Sequence, residues 1–376
     1  MRNDRANHFI ALDGMRGIAA FSVMIGHFGQ IVGAYWPAHM FLAVDVFFMM
    51  SGFVIAHAYG ERLRNGMTGR AYLARRLVRL YPMFILGLLL GAGALCYGAR
   101  SGVIEYQLDD ILRSVVLNAF YIPDLNSAQI IQDVGQIFPA DPPAWSLFLE
   151  TLASGAFLLL FDRRRPALLV VIATCYAAML GLGSYYYARD NGSFGILLSG
   201  GYDTRTVLAG LPRVGFGFTV GLLLHGLARD GTALQAVTER LRRLPCASFL
   251  LYAALLAIFA FPWTARGFFP LLMLSGVAPA LVLIGAQIRT GPIETRIGRF
   301  LGWISYPVYC LHVPIFRLLV FAYGGAAGAS YPVIVLGVAA SIAAAIVLAT
   351  WYEEPLRAIL SARLDGRGGK QAQSAD

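Results

Sequence analysis

Arg16 and His27 bracket the stretch RGIAAFSVMIGH, and both are residue types that do chemistry. Eleven residues at about 100° each amount to three turns plus roughly 20°, so a helix through this stretch carries both on one face, about 16 Å apart. Asp13 falls one turn before Arg16 on nearly the same face. Histidine is the usual general base near neutral pH, and a neighbouring carboxylate fixes its tautomer and supports the imidazolium that forms. Two carboxylates are candidates for that partner, Asp45 in VDVFFMMSGF and Glu150 in PPAWSLFLE, and the sequence leaves both open. Arg16 is expected either to anchor its helix end or to contact an anionic or carbonyl group. In ARRLVRLYP, Arg75 stands beside Arg76, and Arg76 and Arg79 lie one turn apart, a spacing that suits a phosphate. Tyr309 and His312 in GWISYPVYCLHVPIF are one turn apart and are candidates for lining a substrate path. No metal is expected, because His27 with His39 or His57 lacks ligand spacing. No serine or cysteine has the setting of an activated nucleophile.

These groups need elements to hold them, and the composition says which kind. The 376 residues are 58% hydrophobic and only 14% charged, against about 25% charged in a soluble domain. The fold class this implies is an all-α polytopic membrane bundle. Ten candidate spans of the necessary length follow: Leu12–Gly33, Met40–Tyr59, Leu77–Tyr97, Trp145–Phe161, Ala167–Tyr185, Thr206–Ala228, Ala247–Trp263, Phe268–Ile288, Leu301–Tyr323 and Tyr331–Trp351. Residues 1–362 form the membrane domain in this reading, and 363–376, rich in Gly, Gln and Ser, a disordered tail. Cys96, Cys175, Cys246 and Cys310 are scattered without CxxC spacing and are expected to be buried small hydrophobes. The early apolar run is interrupted by Asp13 and Arg16 and reads as a retained anchor, not a cleaved signal.

Charge placement orients the spans. Of the 30 basic residues, all but Lys370 arginine, 22 fall in loops on one side and five on the other, with Arg16, Arg213 and Arg317 inside spans. The net charge of +9 therefore reads as topology, not nucleic-acid binding, and puts both termini in the cytoplasm. On that orientation His27, Asp45 and Glu150 share a depth in the outer half of the membrane. Charged groups there cost roughly 2.5–3.5 kcal/mol on insertion scales, so their alignment points to function. The segment GVIEYQLDDILRSVVLNAFYIP is half apolar but carries Asp109 and Asp110, and reads as an amphipathic helix on the external surface. Gly87 and Gly91 are expected to permit close helix packing. Glu354 in WYEEP is expected in a structural ion pair; Arg213, Arg317 and His57 have no partner that the sequence identifies.

In order along the chain, LDGMRGIAAFSVMIGH, VDVFFMMSGFVIAHA, RRLVRLYP, PAWSLFLE, GWISYPVYCLH and YEEP resemble the acyltransferase 3 family of membrane acyltransferases acting on carbohydrates. The resemblance runs nearly end to end, and its one departure is a methionine pair in FFMMSGF. It implies ten helices, a cytoplasmic acyl-CoA donor with acetyl-CoA the first expectation, and a carbohydrate or glycosylated hydroxyl as acceptor. It further implies that Arg16 and His27 are essential and that Arg76 and Arg79 help hold the CoA phosphates. The chain stops soon after YEEP and so resembles the stand-alone type; a separate partner enzyme is expected to supply any activity that fused members carry. The location this implies is the bacterial inner membrane, in contact with lipid. The rival reading is a proton-coupled exporter of a sugar, lipid-linked sugar or drug, using the same buried groups as a relay. Repeats and paired broken helices would favour it, and neither is evident.

Overall fold

A computed structural model describes residues 9–31, 37–127, 135–189, 200–230, 244, 246–260, 262, 268–325 and 330–373. Of the arginines used to orient the spans, Arg2, Arg5, Arg240, Arg242, Arg243 and Arg266 lie outside the described residues. Among the described residues the chain is helical, and the only strand-like feature is an isolated bridge between Gln136 and Asp203.

In order, the helices are α1 (Ile10–Ile31), α2 (Phe41–Arg64), α3 (Gly69–Arg100), α4 (Leu108–Ala119), α5 (Ala144–Leu160), α6 (Arg165–Arg189) and α7 (Val207–Asp230). They continue with α8 (Ala247–Ala260), α9 (Phe268–Leu272), α10 (Ala278–Gly285), α11 (Pro292–Ala322), α12 (Tyr331–Leu348) and α13 (Glu354–Gln373). Single π-helical turns, Met273–Val277 and Ala349–Glu353, join α9 to α10 and α12 to α13. Each of the ten sequence-predicted spans overlaps a helix among the described residues. Among those residues six helices are long and apolar enough to cross a bilayer: Leu42–Arg64, Gly69–Arg100, Arg165–Tyr186, Val207–Asp230, Pro292–Ala322 and Tyr331–Asp365. Ala144–Leu160, Ala247–Ala260 and Phe269–Gly285 are shorter apolar helices. The protein is an all-α polytopic membrane protein.

Two compact units divide the chain. The first comprises Met1–His57, Arg163–Gly201 and Thr206–Tyr309. Within it α6 lies along α7, and α1 packs on α8 and α10. Arg165 at the start of α6 pairs with Asp230 at the end of α7. The second unit comprises Ala58–Asp162, Tyr202–Arg205 and Cys310–Asp376. In it α3 is the central element, in contact with α4, α5 and α13. Thr68 caps α3 by accepting from the Ala71 amide at 3.2 Å. With 32 residues, α3 is about 48 Å long at 1.5 Å per residue, well beyond a 30 Å hydrocarbon core.

Between the described part of the long loop and α5, residues 135–143 run without helix, and Ile137, Phe138, Ala140 and Asp141 are fully or almost fully buried. Such backbone is tolerated in a membrane protein only when protein covers it. Here α3 does so through glycine. A Cβ on Gly91 would collide with the Ala140 carbonyl, and one on Gly87 with the carbonyl of Cys310. The small-residue pair therefore does permit close packing, and at Gly91 the neighbour is irregular chain, not a helix. We expect Gly91→Leu to destabilise the protein by about 1–3 kcal/mol or more, since the clash is with backbone that has no rotamer to change; thermal denaturation in detergent measures it.

Helix α4 has 12 residues, about 18 Å of length, too short to span. Its exposed apolar residues Leu108, Leu112 and Val116 follow at four-residue spacing while Ile111, Ser114 and Asn118 are buried, so it is the amphipathic helix that the sequence suggests.

One expectation changes. Of the four cysteines expected to be buried only Cys310 is; Cys96 and Cys175 are half-buried, and Cys246 is exposed, with φ +59° at the turn into α8.

Candidate active site

Helix α1 is uninterrupted from Ile10 to Ile31, so Arg16 and His27 do lie on one face, three turns apart. Arg16 is half-buried and pairs with Asp13 at 3.6 Å, i to i+3. His27 is half-buried, with neighbours Gly26 and Phe28 fully buried; its ring is thus on the boundary of the packed face.

In the same unit, Asp45 on α2 meets Arg213 on α7. Arg213 Nε donates to Asp45 Oδ1 at 3.2 Å and its Nη2 to Oδ2 at 2.9 Å, a two-pronged pair in which both residues are 1% exposed. The guanidinium also donates to the Gly200 carbonyl at 2.6 Å and the Phe41 carbonyl at 3.4 Å. Planar guanidinium geometry suits this arrangement, and four acceptors on three residues leave it little freedom. Both oxygens of Asp45 are thereby engaged, which favours a bracing role for this carboxylate over service as a histidine partner. Tyr309, on α11 in this unit, is buried and packs edge-on against Phe47 at 5.6 Å between centroids. His57 lies edge-on to Phe9 at 4.8 Å and to His225 at 5.7 Å.

The second unit holds the arginine row. Arg76 is buried; its Nη2 donates to Glu150 Oε1 at 2.7 Å and its Nε to Ser154 Oγ at 3.3 Å, joining α3 to α5. The sequence assigned these two residues to different tasks, Arg76 to a phosphate and Glu150 to a base, and the structure brings them together. Arg75 is 30% exposed and pairs with Asp365 of α13 at 2.6 Å. Arg79 is half-buried and interacts electrostatically with Glu353, which Arg357 holds at 3.0 Å. Next to Glu354, the acid expected in an ion pair, Glu353 is buried and forms one with Arg357. His312 is fully buried on α11. This helix is continuous through Pro307 and Pro314.

A further polar group in this unit escapes motif reading. Arg317 on α11 donates to the Pro139 carbonyl and, at 2.7 Å, to Gln136 Oε1, holding the irregular segment in place. Beside it, both carboxyl oxygens of Asp141 are buried and accept no hydrogen bond from the described residues. Burial pushes this carboxyl well above the usual carboxylate range, against the pull of Arg317. The sequence signal was a solitary acid in PADPPAW, next to two prolines that remove backbone donors.

Comparison with known proteins gives a family and relatives. A model described as "Acyltransferase domain" matches residues 9–350. Over 173 residues, 42% of this chain and 84% of the relative, the sequence is 34% identical to "Protein 2 in picA locus" from Rhizobium radiobacter. Over 323 residues, 81% of this chain and 72% of the relative, it is 27% identical to "Putative membrane-bound transacylase BcsY" from Komagataeibacter xylinus. No solved structure matches. The family match covers nearly all of a helical chain that is built to cross a bilayer, and the chain accordingly belongs to the acyltransferase-domain family, as a multi-pass membrane acyltransferase.

Proposed function

We propose that this protein transfers an acyl group, acetyl first among candidates, from cytoplasmic acyl-CoA to a hydroxyl of a carbohydrate or glycosylated acceptor at the bacterial inner membrane. The observation that carries the reading is the unbroken α1 with Arg16 and His27 three turns apart on one face, in a chain of the acyltransferase family. His27 takes the proton of the acceptor hydroxyl as that oxygen attacks the thioester carbonyl. The carbon–sulfur bond then breaks, and the thiolate leaves and takes up the proton from the imidazolium. Arg16 supports the thioester carbonyl or the pantetheine arm. No covalent enzyme intermediate is required.

For the donor phosphates Arg75, Arg76 and Arg79 are the ligands in this reading, and each would exchange an acid it now faces, Asp365, Glu150 or Glu353, for phosphate. Arg75 and Arg79 are the more accessible of the three. Arg75→Ala with Arg79→Ala should raise the KM for acetyl-CoA about tenfold or more, on the scale of lost charge-assisted contacts, with the KM for acceptor within twofold. Steady-state transfer of labelled acetyl groups in membranes without an ion gradient checks this. An unchanged donor KM would defeat the docking assignment, and a requirement for a gradient would favour the exporter reading.

A further inference from the structure

Asp141 is the most exceptional polar residue in the second unit. It is fully buried, and neither carboxyl oxygen accepts a hydrogen bond from the described residues. Buried polar groups are almost always satisfied, and one that is not is costly to keep. Nothing in the packing of this segment requires a carboxyl here. The backbone turn is made by the Asp141 carbonyl, which accepts from the Ala144 amide at 2.9 Å. Nor does Arg317 neutralise it by contact: its hydrogen bonds go to Pro139 and Gln136, and it acts on Asp141 through space alone.

The surroundings define what such a carboxyl would bind. Its Oδ2 lies 3.2 Å from where a Cβ on Gly87 would stand, and that same Cβ would collide with the Cys310 carbonyl. A carboxyl and a carbonyl therefore converge on the bare backbone of α3, with a guanidinium beside them. A cation or ammonium group is disfavoured by Arg317, and an anion by Asp141. What remains is a neutral group that both donates and accepts, and the hydroxyl is the common biological example.

We propose that Asp141, with Arg317 beside it, is a hydroxyl-binding subsite that orients a neutral polyhydroxylated acceptor. The inference rests on the reading of this chain as a hydroxyl acyltransferase, and extends it by naming where the acceptor is gripped and by what chemistry. Asp141 is then a residue kept for binding at a cost to stability.

That cost makes the proposal testable. An acid whose proton is held more tightly in the native state than in the unfolded chain takes stability away as the pH rises through the ordinary carboxylate range. Removing it should therefore not weaken the fold. The experiment uses full-length protein in nanodiscs, [14C]acetyl-CoA, and as acceptor an envelope extract from cells that lack the gene. For Asp141→Ala we expect the amount of extract giving half-maximal rate to rise about 10–100-fold, the scale of leaving a buried hydroxyl without its hydrogen-bond partner. Asp141→Asn, which keeps one acceptor and gains a donor, should fall between. Both variants should keep the acetyl-CoA KM within twofold and match or exceed the wild-type thermal midpoint. An unchanged extract requirement in Asp141→Ala would overturn the subsite and leave a buried structural water as the occupant. A lowered midpoint in both variants, with the two KM values rising together, would overturn it in favour of a purely structural carboxyl. If the unaltered protein transfers no label, the acyltransferase reading itself falls, which is a different result from wild-type transfer with an indifferent Asp141.

Discussion

Replacing His27 with alanine is expected to abolish acyl transfer while the protein still inserts, folds and melts at its usual temperature. A general base contributes about 100- to 10,000-fold to rate, so kcat should fall by at least the lower figure. The expectation that the fold survives has a structural basis. His27 is half-buried on a continuous helix, and alanine is the best helix former, so the substitution breaks no turn and opens only a partial gap. Labelled-acetyl transfer together with a thermal melt separates the two effects. Turnover near normal in His27→Ala would remove the base from the mechanism. A fallen melting point with a matching loss of rate would reduce the residue to packing. Arg16→Ala gives an internal comparison. Its partner Asp13 is one turn away and partly exposed, so loss of rate there would be a loss of contact with the donor.

Arg213→Ala should destabilise the first unit by about 3–5 kcal/mol, the usual consequence of leaving one member of a buried ion pair uncompensated. Asp45 would be left at 1% exposure with neither prong of the guanidinium, and the Gly200 and Phe41 carbonyls would lose their donor as well. Asp45→Leu combined with Arg213→Met should recover most of that loss, because a well-packed apolar pair avoids the desolvation penalty. The double variant also decides what Asp45 is for. If it is stable and transfers acyl groups at a rate close to wild type, Asp45 is a brace between α2 and α7. If it is stable yet inactive, the carboxylate has a chemical duty that the ion pair conceals. Thermal denaturation in detergent and labelled transfer read the two halves of the question.

Much of this protein was legible before any coordinate. Low charge and apolar runs of about 20 residues leave little choice but helices, because a bilayer offers backbone groups no water to bond with. Each of the ten runs read from the chain overlaps a helix among the described residues, and the family could be read from six short motifs in order. The face shared by Arg16 and His27 followed from helix periodicity alone, which is a local property. The same holds for α4, whose half-apolar composition and Asp109–Asp110 pair already described an amphipathic helix.

Pairing was a different matter, because it depends on which faces meet across distances that no local period encodes. Counting along spans set Glu150 in the outer half and Arg76 beside a cytoplasmic donor, yet the two meet at 2.7 Å, because a count from a span's end does not fix which residues of neighbouring helices lie level. Only the tertiary structure put Arg213, 168 positions away in sequence, against Asp45, and Arg76 against Glu150. It likewise showed that Glu353, the last residue of a π-helical turn, faces inward and pairs with Arg357. Asp141 left only a faint mark in the sequence, a solitary acid beside two prolines. Its character comes from Gly87 and Cys310 approaching a stretch of irregular backbone, and burial of that kind is created only when the chain has packed.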